Sequence, residues 1–326
     1  MGNIWVAFTV SLAVTLIAGP LVIPVLRRLK FGQSIRSDGP SRHLQKAGTP
    51  TMGGIIFLAG TAAGGFLLIR SADGLIVLLM ALGYGFIGFL DDYIKVVLKR
   101  SLGLRAREKL LGQVLLAAAL AYWAVFEAGR GTGIVLPFSG FLTPGGIQMD
   151  LGWWPFLAFT VLLVVFMSNA VNLTDGLDGL AAGVSMLVAL ALVPVALAAD
   201  RAGVAAGMAA LAGGCLGFLF FNFHPAKVFM GDTGSLALGG GLCAAAVVTK
   251  SELLFLIIGG IYVLEALSVI IQVISFQTTG RRVFRMSPLH HHFELGGWSE
   301  NRVVITFWAL TLVFAAAGLA GLYRLV

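Results

Sequence analysis

The chain has 326 residues, 58% of them apolar and only 11% charged, with a net charge of +7. That balance excludes a soluble globular domain and indicates a polytopic membrane protein. The positive charge tracks the loops rather than forming a patch, so it implies no nucleic-acid partner, and Cys215 and Cys243, each among small residues in an apolar run, exclude a disulfide framework and a Cys-based metal site.

A helix needs about 20 apolar residues to cross a bilayer, and a lipid-facing chain must satisfy its own backbone hydrogen bonds. The sequence predicts ten such helices, over about 4–26, 51–70, 74–94, 110–128, 155–172, 179–199, 203–221, 234–249, 253–276 and 303–323. The expected fold is all-α, one transmembrane domain over 1–326 whose connections are loops. The first run is long enough to span and lacks a basic leader region, so it reads as a span rather than a signal peptide. Of the 22 Lys and Arg, all but Arg70, Arg130, Arg201, Lys250 and Arg324 fall on the odd-numbered loops. The positive-inside rule places those loops in the cytoplasm and both termini outside.

The polar clusters follow in chain order. In the first loop, Lys46 and the run from Thr51 to Gly54 set a cation beside small residues, where a phosphate or peptide could dock. Gly83 to Gly88 matches a G-x-G-x-x-G pattern, but no strand precedes it and it lies inside a span, so close helix packing is the expected use. Asp91 and Asp92 end the third span, with Lys95 one turn on; adjacent aspartates diverge by about 100° on a helix, so one could bind metal while the other meets a second group.

Asn169 to Gly183 is polar between two uncharged runs, and Asn172, Asp175 and Asp178 at i, i+3, i+6 would line one helical face. The plainer reading is that an aspartate caps the next helix; one cap does not account for the whole cluster. Phe221 to Ser235 holds Asn222, then Phe229, poised to stack on a base, then Gly231, Asp232 and Ser235 at a helix start. A glycine-rich turn feeding a helix N-terminus suits a phosphate, and Asp232 beside it suits Mg²⁺. Glu265 lies inside the ninth span with Gln272 two turns later; an intramembrane carboxylate serves either a site or a neighbouring helix. In Ser287 to Glu294, His290 and Glu294 at i, i+4 could pair, and phosphate contact or helical support suits His290, His291 and His292 better than zinc does. Clusters from four loops fall on one side of the membrane, which points to one shared cytoplasmic site.

Asp-Asp-Tyr-x-Lys, Asn-Leu-Thr-Asp-Gly-Leu-Asp-Gly, Phe-Met-Gly-Asp-Thr-Gly-Ser and Ser-Pro-Leu-His-His-His-Phe-Glu occur here in that order. Together they resemble the polyprenyl-phosphate N-acetylhexosamine-1-phosphate transferases. The triple His and Thr-Pro-Thr-Met-Gly-Gly resemble one branch of that superfamily, the phospho-MurNAc-pentapeptide translocases, and the likeness covers nearly the whole chain.

The resemblance implies Mg²⁺-dependent transfer of phospho-MurNAc-pentapeptide from UDP-MurNAc-pentapeptide to undecaprenyl phosphate, giving lipid I and UMP for peptidoglycan. It implies ten helices in the bacterial inner membrane, an extracellular N-terminus, a site on the cytoplasmic face and a homodimer. It makes Asp232 the Mg²⁺ ligand, Asp91 the residue that deprotonates the lipid phosphate and Asp92 its essential neighbour. Asn172, Asp175, Asp178, Asn222, Phe229 and Gln272 would line the nucleoside pocket. Lys46, Thr51, His291 and His292 would be further substrate contacts, with Lys46, Lys95 and Lys109 offsetting repulsion between phosphates. Whether Asp91 acts as a base or a carboxylate attacks to give a phospho-enzyme is open at this level; direct attack is favoured, since a phosphate oxyanion is already a nucleophile. The alternatives are a sister enzyme using UDP-GlcNAc, against which the histidine run argues, and an anion transporter, which would show repeats and midplane polar groups.

Overall fold

The computed structural model describes residues 2–29, 48–69, 71–100 and 102–322. The chain runs through α1 (Gly2–Arg28), α2 (Gly54–Leu68), α3 (Ala72–Val96) and α4 (Ala106–Tyr122, continued by a π turn over Trp123–Glu127). Two short strands follow, β1 (Gly133–Val135) and β2 (Gln148–Asp150). The rest is α5 (Trp153–Thr174), α6 (Leu180–Ala198), α7 (Ala202–Asn222), α8 (Gly231–Val248), α9 (Glu252–Ile258), α10 (Gly260–Thr279), α11 (Leu289–Glu294) and α12 (Glu300–Gly321).

The polytopic helical expectation holds. Among the described residues, nine helices are long and apolar enough to cross a membrane: α1, α3, α4 with its π turn, α5, α6, α7, α8, α10 and α12. The run expected at 51–70 gives only the 15 residues of α2, about 22 Å of helix. Its first residues are used otherwise. Gly53 and Gly54 donate to the carbonyls of Phe229 and Met230 at 2.8 and 2.9 Å, and Phe229 donates to the Pro50 carbonyl at 2.8 Å. The span expected at 253–276 is broken into α9 and α10 at Gly259, where a Cβ would press on Met167 Cε and the Phe255 carbonyl, both at 3.1 Å.

The centre is built from the smallest side chains. In its most apolar window α8 is 89% buried and α7 83%, against 28% for α1. A Cβ on Gly88 of α3 would collide with the Asp232 carbonyl, one on Gly240 of α8 with the Tyr84 ring, and one on Gly213 of α7 with the Phe8 carbonyl. Lipid supplies no hydrophobic drive between helices, so this close approach is what holds them. The Gly83–Gly88 pattern is therefore packing, as expected, and Cys215 and Cys243 are buried and free.

The hairpin has no counterpart in the predicted elements. β1 and β2 pair antiparallel, Gly133 opposite Asp150 and Val135 opposite Gln148. Three-residue strands fall below what alternation can reveal. Arg130 anchors them, donating Nη2 to the Gly133 carbonyl at 3.0 Å and meeting Glu252 at 2.7 Å.

Candidate active site

Because Gly85 and Gly88 let α3 lie against α8, Asp91 and Asp92 at the end of α3 meet Asp232 in the first turn of α8. One oxygen from each carboxylate lies within 4.8 Å of the other two. Two cations stand over them. Lys95 Nζ is 2.5 Å from Asp91 Oδ2 and 2.9 Å from Asp232 Oδ2. Lys109 Nζ, from α4, is 2.9 Å from Asp232 Oδ2 and 4.0 Å from Asp91 Oδ2. Asn172, near the end of α5, donates Nδ2 to Asp232 Oδ1 and to Ser235 Oγ, each at 2.8 Å. Ser235 Oγ in turn donates to the Gly231 carbonyl at 3.0 Å. Asp91 Oδ1 accepts the Leu104 N–H at 2.7 Å.

Asp92 does something else. It accepts the Thr233 N–H at 2.9 Å, the Thr233 hydroxyl at 2.7 Å and the Asp232 N–H at 3.2 Å. These amides belong to the opening turn of α8, which has no intrahelical acceptor for them. The helix start read as a phosphate cradle already holds an anion, and that anion is the chain's own carboxylate. Gly231 makes the approach possible. Its φ is +71°, and a Cβ there would stand 2.5 Å from Asp92 Oδ2 and 2.8 Å from the buried Thr51 hydroxyl.

The 172–178 spacing does not describe one helical face. α5 stops at Thr174, Asp175 is its C-cap with φ −79° and ψ 47°, and the chain turns through Gly179 at φ +79°. Asn172 therefore joins Asp232, while Asp178 turns to the 223–230 loop. Its Oδ2 accepts the Ala226 N–H at 3.0 Å and lies 3.0 Å from His224 Nδ1. Glu300 Oε1, at the start of α12, accepts the Asp178 N–H at 2.8 Å, and its Oε2 lies 3.3 Å from the same His224 nitrogen. Asn222 ties these loops together, accepting from the Gly179 N–H and donating to the Val228 carbonyl, both at 3.0 Å.

The histidines diverge. The expected His290–Glu294 pair does not form. His291 Nδ1 meets Glu294 at 2.7 Å instead, and His290, fully buried, lies 3.1 Å from Glu265 Oε1 on α10. The buried carboxylate draws His290 inward, and so Glu265 serves a neighbouring helix. The far side of the His290 ring fills the space above Gly176, where a Cβ would collide with Nε2. His292 Nδ1 accepts the Arg285 N–H at 3.1 Å. Gln272 braces the same loop, donating to the Phe284 carbonyl and accepting the Val283 and Phe284 N–H groups, all at 2.9 Å.

Phe229 is half-buried, its backbone bonded to Pro50 and Gly53, and Lys46 lies outside the described residues. Sequence reasoning passed over Thr233, His224 and Glu300. The first two stand inside the stretch already singled out, but Glu300 looks like any acidic residue opening a helix.

A profile described as glycosyl transferase family 4 matches residues 74–250, and a signature of phospho-N-acetylmuramoyl-pentapeptide-transferases matches residues 46–58. Proteins carrying that transferase name are similar over nearly the whole chain. The one from Desulforudis audaxviator is 64% identical over 97% of both chains. The one from Desulforamulus reducens is 61% identical over 98% of this chain and 95% of its own. The one from Desulfitobacterium hafniense is 54% identical over 97% of this chain and 96% of its own. The profile spans the carboxylates, lysines and Asn172 that converge on Asp232, and this chain belongs to the phospho-N-acetylmuramoyl-pentapeptide-transferase family of membrane transferases.

Proposed function

We propose that the enzyme moves phospho-MurNAc-pentapeptide from UDP-MurNAc-pentapeptide to undecaprenyl phosphate, forming lipid I and releasing UMP for peptidoglycan synthesis. The observation that carries this is the meeting of Asp91, Asp92 and Asp232 with Lys95 and Lys109 at one end of the bundle. Three carboxylates against two ammonium groups leave one net negative charge among oxygen donors, which suits a hard divalent ion held by one or two carboxylates and substrate oxygens. Asp232 and Asp91 are the residues that would hold Mg²⁺, since Asp92 is committed to the α8 amides. Bound there, Mg²⁺ neutralises charge on the pyrophosphate.

The chain's own residues do the rest. An oxygen of the lipid phosphate attacks the phosphorus that carries the sugar; a P–O bond forms there as the bond to UMP breaks, and UMP leaves with the electron pair. Lys95 and Lys109 exchange their carboxylate contacts for phosphate oxygens and offset repulsion between the two anions. Asp91 accepts the lipid phosphate proton where one is present. The 174–179 and 223–230 loops, joined by Asn222 and Asp178, supply the nucleoside end with Asp175, Phe229 and Gln272. The histidine loop and Lys46 serve the remainder of the substrate.

The same reading completes the topology. One transmembrane domain of ten spans, with α2 as the tenth, puts both termini outside and the carboxylates on the cytoplasmic face of the inner membrane, where the nucleotide sugar is. The chain acts as a homodimer. UMP release by purified protein with undecaprenyl phosphate, comparing UDP-MurNAc-pentapeptide with UDP-GlcNAc and Mg²⁺ with EDTA, tests the activity. Release with the first donor alone, and only with Mg²⁺, is the expected result; release with UDP-GlcNAc would move the chain to the sister specificity.

A further inference from the structure

The positive-inside pattern has five exceptions, and three of them meet. Arg130, Arg201 and Lys250 line one cavity of about 230 Å³, together with Thr249, Ser251 and Gln148. It lies at the opposite end of the bundle from the carboxylates. α8 connects the two, from Asp232 to the Thr249 that follows it, about 25 Å at 1.5 Å per residue. Trp153 and Trp154 open α5 at the hairpin end, with Trp154 exposed, and tryptophan marks the headgroup layer of a membrane.

The cations are unequally matched. Arg201 pairs with Asp73 at 2.6 Å and Arg130 with Glu252 at 2.7 Å. Lys250 has no ion-pair partner among the described residues. Its ammonium stands within the field of both guanidinium groups, and burial together with their repulsion lowers its pKa. Arg130 is 4% exposed, and its Nε and Nη1 have no hydrogen-bond partner among the described residues. Those two nitrogens are sealed from the cavity, with the guanidinium over the Phe156 ring, so Arg130 acts on the cavity through its charge. The cavity is far larger than the roughly 30 Å³ share of one water. Its remaining wall is apolar, from α6, α8, α9 and the hairpin.

We propose that this cavity binds a phosphate group, presented by an anionic phospholipid headgroup or as the free ion, with Lys250 as its principal charge partner. The Gln148 amide provides a neutral contact, the Thr249 and Ser251 hydroxyls being bonded to each other and to the Ala245 carbonyl, and Arg130 and Arg201 provide the surrounding field. The site is separate from transfer chemistry and does not depend on which donor sugar the enzyme uses.

The test uses the full-length protein. Its unfolding temperature is followed in phosphatidylcholine nanodiscs against increasing phosphatidylglycerol, and separately against inorganic phosphate. A saturable rise is expected with at least one probe. Lys250→Gln should shift its midpoint about tenfold or more, the scale of a lost hydrogen bond to a charged group. Lys250→Glu should abolish the rise and Lys250→Arg should restore it. Lys227→Glu, at the far end of the bundle, removes the same charge and should leave the midpoint unchanged. A rise with phosphatidylglycerol alone assigns the headgroup; a rise with inorganic phosphate assigns the free ion. No saturable rise with either probe, or an equal rise in wild type and Lys250→Glu, overturns the proposal.

Discussion

Asp92 closes the N-terminus of α8, its Oδ2 accepting both the N–H and the hydroxyl of Thr233, at 2.9 and 2.7 Å. Its neighbour Asp91 faces Lys95 and the Leu104 amide instead. Two adjacent carboxylates, one turn apart from the same lysine, thus have separate duties. Asp92 sets where α8 begins and therefore where Asp232 stands; Asp91 gathers Lys95 beside it.

The first prediction separates those duties. Asp92→Asn turns an amide N–H₂ toward donors that need acceptors, and should lower stability by about 1.5–3 kcal/mol, the worth of hydrogen bonds to a charged group. Asp91→Asn should leave the unfolding temperature nearly unchanged while UMP release falls. Thermal unfolding and turnover measured on both variants decide it. Equal losses of stability would show that Asp92 has no special hold on α8.

Asp232→Asn should suppress turnover by at least about a hundredfold, corresponding to the several kcal/mol a catalytic metal contributes. Asn keeps a carbonyl for Asn172 Nδ2 but loses the charge that gathers Lys95 and Lys109. Turnover should be titrated with Mg²⁺ in both proteins. An unchanged Mg²⁺ requirement and rate in the variant would remove Asp232 from the metal role.

The carboxylate cluster was legible because charge is rare in an apolar chain: Asp91, Asp92 and Asp232 each interrupt a run that lipid would otherwise keep uncharged. Lys95 was legible from helical spacing. What stayed hidden depended on where backbone elements stop. The face drawn through Asn172, Asp175 and Asp178 assumed that α5 continues, but the chain turns at Asp175 and sends Asp178 to His224. His290 has its partner in the preceding helix, at Glu265, and local spacing could only suggest Glu294. The broken helix at Gly259 and the hairpin follow from contacts made across the bundle, which no window along the chain contains.

Gly231→Ala tests the approach of α3 to α8. The left-handed backbone at φ +71° costs a residue with a Cβ about 1–2 kcal/mol, and the new methyl would stand 2.5 Å from Asp92 Oδ2. Either Asp92 withdraws or the turn moves. Both outcomes loosen the cap, so the variant should lose stability and turnover together. A variant as stable and active as wild type would show that the site tolerates a wider gap.

His290 and Glu265 test support from outside the cluster. Glu265→Ala leaves a fully buried imidazole without its acceptor, at about 1–3 kcal/mol. Glu265→Gln, which retains an acceptor oxygen, should recover most of that loss. Because His290 fills the space over Gly176, the alanine variant should also raise KM for the nucleotide sugar. Combining it with His290→Ala should cost little further, since the pair acts as a unit. Additive losses would mean that the two residues stabilise the fold independently.

Arg130 and Glu252 make the corresponding pair at the hairpin end, 2.7 Å apart with side chains 1% and 0% exposed. Arg130 also stacks over Phe156, its Cζ 4.6 Å from the ring centroid, and holds the Gly133 carbonyl. Removing one partner leaves a charge stranded in a buried site. Arg130→Met or Glu252→Leu alone should therefore destabilise by about 3–5 kcal/mol. The double variant strands no charge, and an apolar pair of similar volume is often neutral relative to the ion pair. Its unfolding temperature should return most of the way to that of wild type, apart from the lost hairpin hydrogen bond. Thermal unfolding of the four proteins in one lipid composition measures the coupling directly. If the double variant is as unstable as the sum of the singles, the pair is not an isolated unit, and the hairpin depends on Arg130 through Phe156 and Gly133 instead.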